Sequence, residues 1–176
     1  MMFKIKEVSM SVTFLGNPVT VAGNLPQQGQ RAAEFTLCDQ TLADIGADHF
    51  TGKKLILNIF PSVDTPTCAD SVRAFNEAAK SLDNTVVLCV SADLPFALAR
   101  FVEQHQLDQV AIGSCFRSPT FAHDYGLAIT EGPLRGLASR AVVVLDEQRQ
   151  VVYVQRVSEI ADEPDYSSAV AAVKGA

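Results

Sequence analysis

The sequence has no long apolar run and no cluster of basic residues. No segment approaches the roughly 18 consecutive apolar residues of a membrane-spanning helix, and residues 1–10 mix charged with apolar residues instead of forming the apolar stretch of a secretion signal. We therefore expect no membrane association and a location in the cytoplasm. The net charge of −6, without a basic patch, also argues against nucleic acid as a partner.

Closely spaced cysteines are absent as well. The four cysteines, Cys38, Cys68, Cys89 and Cys115, include no Cys-x-x-Cys pair and no neighbouring cysteine and histidine at ligand spacing. This spacing argues against a dense disulfide framework and against a structural zinc site. We expect neither a metal nor a cofactor, so any chemistry of these residues is that of single thiols.

The sequence does contain enough apolar residues for one sizeable core. Hydrophobic residues make up 48% of the 176 residues and are spread along the whole length, so we expect one compact domain over residues 1–176.

The middle of the chain carries the pattern of a βαβ unit. Residues 55–60 form a nearly continuous apolar run, residues 66–82 place apolar side chains at helical spacing, and residues 85–90 form a second apolar run rich in β-branched side chains. The strands of such a unit run parallel, and functional residues gather beyond their carboxyl ends. Cys68 falls at that edge of the predicted sheet.

The other elements surround this unit. Further strands and helices are predicted as follows: a hairpin of strands 8–13 and 19–21 around a turn at 15–18, strands at 34–37, 110–112, 141–145 and 151–155, and helices at 95–106, 118–125 and 165–174. Residues 42–50 fit neither pattern. The order predicts an α/β fold with a mixed central sheet covered by helices on both faces and an N-terminal hairpin.

The segment from Pro61 to Cys68 joins the first strand of the unit to its helix. Thr65 is a good N-cap and Pro66 suits the first helical position, which makes Cys68 the third helical residue. Cys68 also precedes Val72 by four residues on the apolar stripe, so its side chain is predicted to point inward. A thiol in this position lies close to the positive end of the helix.

A helix end alone does not activate a buried thiol. Lowering a thiol pKa by two to three units takes about 3–4 kcal/mol, whereas a helix terminus supplies about 0.3–1 and at best about 2 kcal/mol. A fixed cation is therefore needed, and arginine suits this role because it stays charged. Arg140 directly precedes the apolar run 141–145; if that strand lies antiparallel to 55–60, Arg140 enters the sheet beside Cys68. Arg73 is on the same helix as Cys68 and should point elsewhere.

The cysteines and histidines also have interpretations without a catalytic role. Free cysteine is often a small buried hydrophobe, and Cys68 without its context fits that description as well as a reactive thiol. For Cys89, in the middle of an apolar strand, the core role is favoured. His49, His105 and His123 have no partner at catalytic or ligand spacing and are interpreted as ordinary histidines.

Three motifs give the sequence a resemblance to a known family. Pro61-x3-Thr65-x2-Cys68 is similar to the active-site pattern of the peroxiredoxins. The segments 60–65 (FPSVDT), 91–96 (SADLPF) and 132–144 (GPLRGLASRAVVV) resemble the thiol peroxidase (Tpx) subfamily, and the likeness extends over nearly the whole chain, including the predicted hairpin and residues 163–166 (EPDY).

The resemblance implies a fold, a reaction and roles for four residues. It implies a thioredoxin-like fold, a homodimer, and thioredoxin-dependent reduction of hydroperoxides, with alkyl hydroperoxides favoured over hydrogen peroxide. By position, Cys68 would be the peroxidatic cysteine, which becomes a sulfenic acid, and Pro61, Thr65 and Arg140 would complete its catalytic pocket.

The chain departs from the subfamily at one position. Members usually carry a resolving cysteine directly after an Arg-Phe pair, and Val102 occupies that position here. Cys115 follows the short predicted strand 110–112 and is the best substitute, whereas Cys38 cannot be placed and Cys89 is expected to be buried. The alternative is one-cysteine recycling, in which thioredoxin, glutathione or another outside thiol reacts with Cys68 directly.

Two other functions stay open at this point. A thioredoxin-fold sensor or binding protein, switched by oxidation of Cys68, would react slowly with peroxide and would not recycle. Cysteine-dependent acyl transfer is less well supported, because no histidine is placed to act as its base.

Overall fold

A computed structural model of the protein describes residues 12–176. Its elements are β1 (Val12–Phe14), β2 (Asn17–Val19), β3 (Val21–Ala22), β4 (Thr36–Cys38), β5 (Asp44–Gly46), a short 3-10 helix (Ala47–Phe50), β6 (Lys54–Ile59), α1 (Pro66–Ala79), β7 (Thr85–Ser91), α2 (Pro95–Gln104), β8 (Val110–Ser114), α3 (Phe121–Asp124), β9 (Ala128–Ile129), β10 (Ala141–Leu145), β11 (Val151–Arg156) and α4 (Tyr166–Lys174).

Seven of these strands form one mixed sheet in the order β11-β10-β6-β7-β8-β4-β5. β6, β7 and β8 run parallel, so their carboxyl ends meet at one edge. β10 runs antiparallel to β6 with Ala141 opposite Ile59, which is the direction that the expected place of Arg140 beside Cys68 required. Arg140 therefore enters the sheet where β6 ends.

Each face of the sheet packs against its own core. Alternate residues of β6 point to opposite faces, so that Ile56 packs with α1, α2 and α4, and Leu57 packs with α3 and the segment around the 3-10 helix. The mixed α/β sheet flanked by helices was predicted correctly. No helix within residues 12–176 combines the length and the hydropathy needed to cross a bilayer.

The N-terminal hairpin is present, but its turn differs from the prediction. Residues 8–11 of the predicted first strand lie outside the described residues. Asn17 and Pro18, expected in the turn, pair with Phe14 and Thr13 as part of β2, and the turn itself is Leu15-Gly16. Both turn residues have a positive φ (51° for Leu15 and 80° for Gly16), which is typical of two-residue hairpin turns but uncommon for leucine.

Other boundaries differ by a few residues. α1 ends at Ala79 instead of residue 82, and the helix predicted over 118–125 is the short α3. Residues 42–50, which fitted no pattern, form β5 and the 3-10 helix. The small sheet of β3 and β9 was not predicted, because pairs of two residues leave almost no periodic signal.

Candidate active site

Cys68 lies in the first turn of α1, as the third helical residue. Thr65 is the N-cap, and its hydroxyl oxygen accepts a 3.4 Å hydrogen bond from the backbone N–H of Cys68. Pro66 occupies the first helical position, where its missing N–H costs no hydrogen bond. The side chain of Cys68 is fully buried, so the predicted inward orientation is confirmed.

The guanidinium of Arg140 contacts the sulfur of Cys68. Nη2 donates to Sγ at 3.2 Å, and Nε donates to the backbone oxygen of Ile160 at 2.9 Å. The side chain is only 1% exposed. Among the described residues, Nη1 has no hydrogen-bond partner and no carboxylate pairs with the guanidinium. A buried cation without a carboxylate stabilises negative charge on the sulfur that it contacts, and its free N–H groups can bind a further oxygen.

A cavity of about 340 Å³ adjoins Arg140, and Thr65 and Pro61 also form part of its wall; Cys68, which is fully buried, does not line it. Most of the remaining wall is apolar and comes from the hairpin, from the loop before β10 and from the segment after β11. These residues are Phe14, Leu15, Leu134, Leu137, Ile160 and Ala161. The cavity can therefore take an apolar molecule and present it to a cation and a hydroxyl group.

The hydroxyl of Thr65 has a second partner. It donates to the backbone oxygen of Ser62 at 3.2 Å while it accepts from the backbone of Cys68. Because a hydroxyl group rotates, it can redirect its proton toward an oxygen that enters the cavity. Thr65 thus serves as a helix cap and as an adjustable polar group of the cavity.

A carboxylate at the end of the neighbouring strand holds the loop before Cys68. Asp93 accepts hydrogen bonds from the hydroxyl of Ser62 (2.7 Å) and from the backbone N–H of Val63 (2.9 Å). It also accepts one from the hydroxyl of Ser91, the last residue of β7. These bonds tie the loop that carries Pro61 and Thr65 to the rigid end of the sheet.

Two buried hydrogen bonds connect the first turn of α1 to the sheet. The hydroxyl of Ser71 donates to the backbone oxygen of Cys68 at 2.8 Å and accepts from the side-chain amide of Asn58 at 3.2 Å. Asn58 interrupts the apolar run of β6, and its hydrogen bond to Ser71 explains that interruption. The first turn of α1 is therefore tied to the central strand of the sheet.

The other cysteines lie away from this pocket. Cys115 follows β8 at the edge where β6 also ends, as expected from the parallel strands, but it packs against the opposite face of the sheet from Cys68. The two side chains thus pack in different cores, and both thiols are free in this conformation. Burial raises the pKa of Cys115 to about 11. Cys38 is buried in β4.

Cys89 and Val102 are on the same face as Cys68. Cys89 is buried in β7, and burial raises the pKa of its thiol to about 12, which agrees with the predicted core role. Val102 lies in α2 and packs against the core that contains Cys68. Position 102, where the resemblance implies a resolving cysteine in other members, thus lies on the same face as Cys68, but it holds a valine.

The remaining basic residues considered from the sequence contact other groups. Arg73 pairs with Asp70 and lies beside His105, as expected for a side chain that points away from Cys68. His49 accepts a hydrogen bond from the backbone of Gly46. Within the described residues, no hydrogen bond joins a histidine to Cys68, and no group of three or more His, Cys, Asp or Glu side chains is arranged to hold a metal ion.

Two carboxylates near the site were not recognised from the sequence. Asp93 was noted only as part of a motif, and its position three residues after a predicted strand was the available signal. Glu159, which anchors the hairpin beside the cavity, carried no signal, because all its hairpin partners lie more than 140 residues away in the chain.

Comparison with known proteins gives a consistent result. Residues 27–172 match the Redoxin family. The chain is 52% identical to the thiol peroxidase of Corynebacterium glutamicum over 160 residues, which cover 91% of this chain and 96% of that protein. It is 47% identical to the thiol peroxidase of Vibrio cholerae over 157 residues, which cover 89% of this chain and 96% of that protein.

Two solved structures share the fold over nearly the whole chain. A peroxiredoxin-like protein from Aquifex aeolicus has a TM-score of 0.89 and 36% identity, covering 95% of this chain and 97% of its own. A thiol peroxidase from Chromobacterium violaceum has a TM-score of 0.87 and 25% identity, covering 94% and 95%. The expected thioredoxin-like fold is confirmed. The chain therefore belongs to the Redoxin family and is an enzyme of the thiol peroxidase (Tpx) subfamily of the peroxiredoxins.

Proposed function

We propose that the protein reduces alkyl hydroperoxides and hydrogen peroxide, with Cys68 as the peroxidatic cysteine and a thiol as the electron donor. The observation that carries the proposal is the 3.2 Å contact between Nη2 of Arg140 and the sulfur of Cys68, with Arg140 also in the wall of a largely apolar cavity. A cation fixed beside a buried sulfur favours the thiolate, which is the form that attacks peroxide.

The first half of the reaction transfers one oxygen atom. The Cys68 thiolate attacks the terminal oxygen of the hydroperoxide, a sulfur–oxygen bond forms and the oxygen–oxygen bond breaks. Cys68 becomes a sulfenic acid, and the leaving alkoxide takes up a proton to become an alcohol, or water when the substrate is hydrogen peroxide. The free N–H groups on Nη1 of Arg140 and the hydroxyl of Thr65 are placed to stabilise the charge that develops on these oxygens.

The cavity supports the preference for alkyl hydroperoxides. Its apolar side chains can bury the organic part of such a substrate, and each methylene group buried contributes about 0.8 kcal/mol of binding free energy. Hydrogen peroxide has no such group. Pro61 forms part of the wall beside Cys68, and we assign it a role in keeping bulk water from the sulfur.

The second half of the reaction regenerates the thiol. We propose that an outside thiol, from thioredoxin or another reductant, attacks the sulfenic sulfur of Cys68 and releases water. A second thiol then cleaves the resulting mixed disulfide and leaves Cys68 reduced. Val102 at the usual resolver position and Cys115 on the opposite face of the sheet support this one-cysteine route. An internal link to Cys115 would require a rearrangement that brings that residue around the sheet.

We also propose a homodimer that works in the cytoplasm. Leu94 and Phe96 begin α2, and Phe116 follows β8; all three are largely exposed, with Phe96 at 65%. Their segments are joined by hydrogen bonds from Ser114 to Asp93 and from Cys115 to Ser91, so the three exposed apolar side chains belong to neighbouring segments at the carboxyl ends of β7 and β8. Such side chains suit an interface with a second copy of the chain. Phe96→Asp should shift the sedimentation coefficient toward that of a monomer, and an unchanged value would refute this interface.

The test of the peroxidase proposal is replacement of the thiol. Cys68→Ser should abolish consumption of cumene hydroperoxide in the presence of a thiol reductant, while Cys115→Ser, the matched control, should retain it. Undiminished turnover by Cys68→Ser would refute the proposal. Slow reaction of the unaltered protein with peroxide, without recycling, would instead favour a sensor that is switched by oxidation of Cys68.

Peptide mapping distinguishes the two recycling routes. After one equivalent of peroxide, a sulfenic acid on Cys68 alone, or a mixed disulfide with the added thiol, supports the one-cysteine route. A Cys68–Cys115 linkage would show an internal resolver.

A further inference from the structure

The carboxylate of Glu159 binds the tip of the β1–β2 hairpin. Oε2 accepts hydrogen bonds from the hydroxyl of Thr13 (2.7 Å) and the backbone N–H of Gly16 (3.1 Å). Oε1 accepts from the backbone N–H groups of Leu15 (2.9 Å) and Ala161 (3.0 Å). The four bonds leave this carboxylate no free position for proton transfer, so its role is to hold other groups in place.

The backbone on both sides of Glu159 continues this attachment. The N–H of Thr13 donates to the oxygen of Ser158 at 2.7 Å, and the N–H of Ile160 donates to the oxygen of Thr13 at 2.8 Å. The oxygen of Ile160 in turn accepts from Nε of Arg140. One short segment therefore holds the hairpin on one side and Arg140 on the other, and the Glu159 side chain bonds to the hairpin and to the backbone of Ala161 but not to Arg140.

The hairpin tip that Glu159 holds is a wall of the cavity. Phe14 and Leu15 line the cavity together with Arg140. Leu15 is 70% exposed and has a φ of 51°, a conformation that costs a branched apolar residue free energy and that asparagine or glycine would adopt more easily. A leucine kept in that conformation by a carboxylate, at the mouth of a largely apolar cavity, points to a functional reason for its position.

We propose that Glu159 is a positioning residue that sets the selectivity of the enzyme for bulky apolar hydroperoxides, by fixing Phe14 and Leu15 over the cavity. The proposal rests on the proposed function, because selectivity is defined only for a peroxidase. Without the carboxylate the hairpin tip is free to move, and a large substrate loses part of its apolar contact. Hydrogen peroxide has no apolar group to bury against Phe14 and Leu15, so it is reduced as before.

The charge state of Glu159 supports a permanent role. Hydrogen bonds from Thr13, Ala161 and Gly16 lower the pKa of Glu159 to about 2, so the carboxylate is ionised throughout the physiological range. The attachment of the hairpin is therefore a fixed part of the structure and not a switch.

The proposal is tested with Glu159→Gln, whose amide N–H₂ group would face two of the four donors. We expect the ratio of kcat/KM for cumene hydroperoxide to kcat/KM for hydrogen peroxide to fall about tenfold, through a higher KM for cumene hydroperoxide, with the hydrogen peroxide value unchanged within about twofold. Glu163→Gln, a nearby carboxylate that binds Tyr166, is the matched control and should keep the original ratio.

A second variant and a second measurement keep the test decisive. Thr13→Val removes one donor to Glu159 and leaves the backbone donors, so it should change the ratio in the same direction by a smaller factor. Hydrogen exchange at the amides of Leu15 and Gly16 should be faster in Glu159→Gln. Equal losses for both peroxides, or an unchanged ratio, would overturn the role of Glu159. Absence of activity with either peroxide in the unaltered protein would refute the proposed function instead.

Discussion

Asp93 and Ser62 join the ends of two neighbouring strands through a 2.7 Å hydrogen bond, and this bond sets the path of the loop that leads to Cys68. In Asp93→Asn, the new side-chain N–H₂ group would face some of the groups that now donate hydrogen bonds to the carboxylate of Asp93. The two serine hydroxyls can reverse and accept, but the backbone N–H of Val63 can only donate.

We therefore expect Asp93→Asn to slow the reaction of Cys68 with peroxide about tenfold, because Pro61 and Thr65 move with the loop. Rapid-mixing kinetics with cumene hydroperoxide measure this rate. Ser62→Ala, which removes one donor and keeps the carboxylate, is the control and should have a smaller effect. A rate equal to that of the unaltered protein in Asp93→Asn would refute the positioning role.

Arg140 should be required for the reactivity of Cys68. Removing one donor from a site that stabilises developing charge typically costs about 100- to 1000-fold in rate, and we expect a loss of this size in kcat/KM for Arg140→Ala. Arg140→Lys should recover only part of it, since an ammonium group cannot contact the sulfur, Ile160 and a peroxide oxygen with the same geometry.

The rate at which iodoacetamide alkylates Cys68 at neutral pH gives a second measure of the same effect. It should fall in Arg140→Ala and stay unchanged in Arg73→Ala, whose guanidinium pairs with Asp70 on the surface. Equal alkylation rates in the two variants would show that the charge of Arg140 does not act on the sulfur.

Val102→Cys should restore an internal resolving step. Position 102 lies on α2, on the same face of the sheet as Cys68, and a thiol there is not separated from Cys68 by the sheet. After peroxide treatment we expect a disulfide between this position and Cys68, detected by peptide mapping. Overoxidation of Cys68 to sulfinic acid should also be slower than in the unaltered protein. Ala99→Cys, one turn earlier on the same helix, is the comparison variant. If Val102→Cys yields only sulfenic acid or mixed disulfide, α1 and α2 do not rearrange enough to bring the two sulfurs together.

The stabilising effect of Glu159 should depend on pH in a defined direction. Because its pKa is lowered from 4.5 to about 2 in the folded protein, its contribution to the free energy of unfolding is fully present above about pH 4.5 and is lost as the pH falls toward 2. The difference in this free energy between the unaltered protein and Glu159→Gln should therefore be constant from pH 5 to 7 and shrink below about pH 4.5. Urea unfolding at several pH values measures it, and a difference that grows on acidification would contradict the sign of the pKa shift.

The sequence predicted those features that depend on local patterns. The cap at Thr65, the start of α1 at Pro66 and the inward orientation of Cys68 follow from a few adjacent residues, and the structure agrees. The entry of Arg140 at the end of β6 needed only the direction of one strand.

Features that depend on distant partners were not predictable in this way. Cys115 packs against one face of the sheet because of the path that the chain takes after β8. The apolar run 110–112 does not indicate that path. The hairpin turn was predicted two residues too long, because Asn17 and Pro18 are ordinary turn residues, whereas Leu15, which has a positive φ in the turn, bonds to the distant residue Glu159.

The hairpin lies outside residues 27–172, the part of the chain that matches the Redoxin family, whereas Cys68, Thr65 and Arg140 lie inside it. If the hairpin selects the substrate, then part of that selection lies outside the segment that carries the chemistry, while Glu159, which holds the hairpin, lies inside it. Changes in Phe14 or Leu15 could then alter the range of peroxides without altering the thiol chemistry.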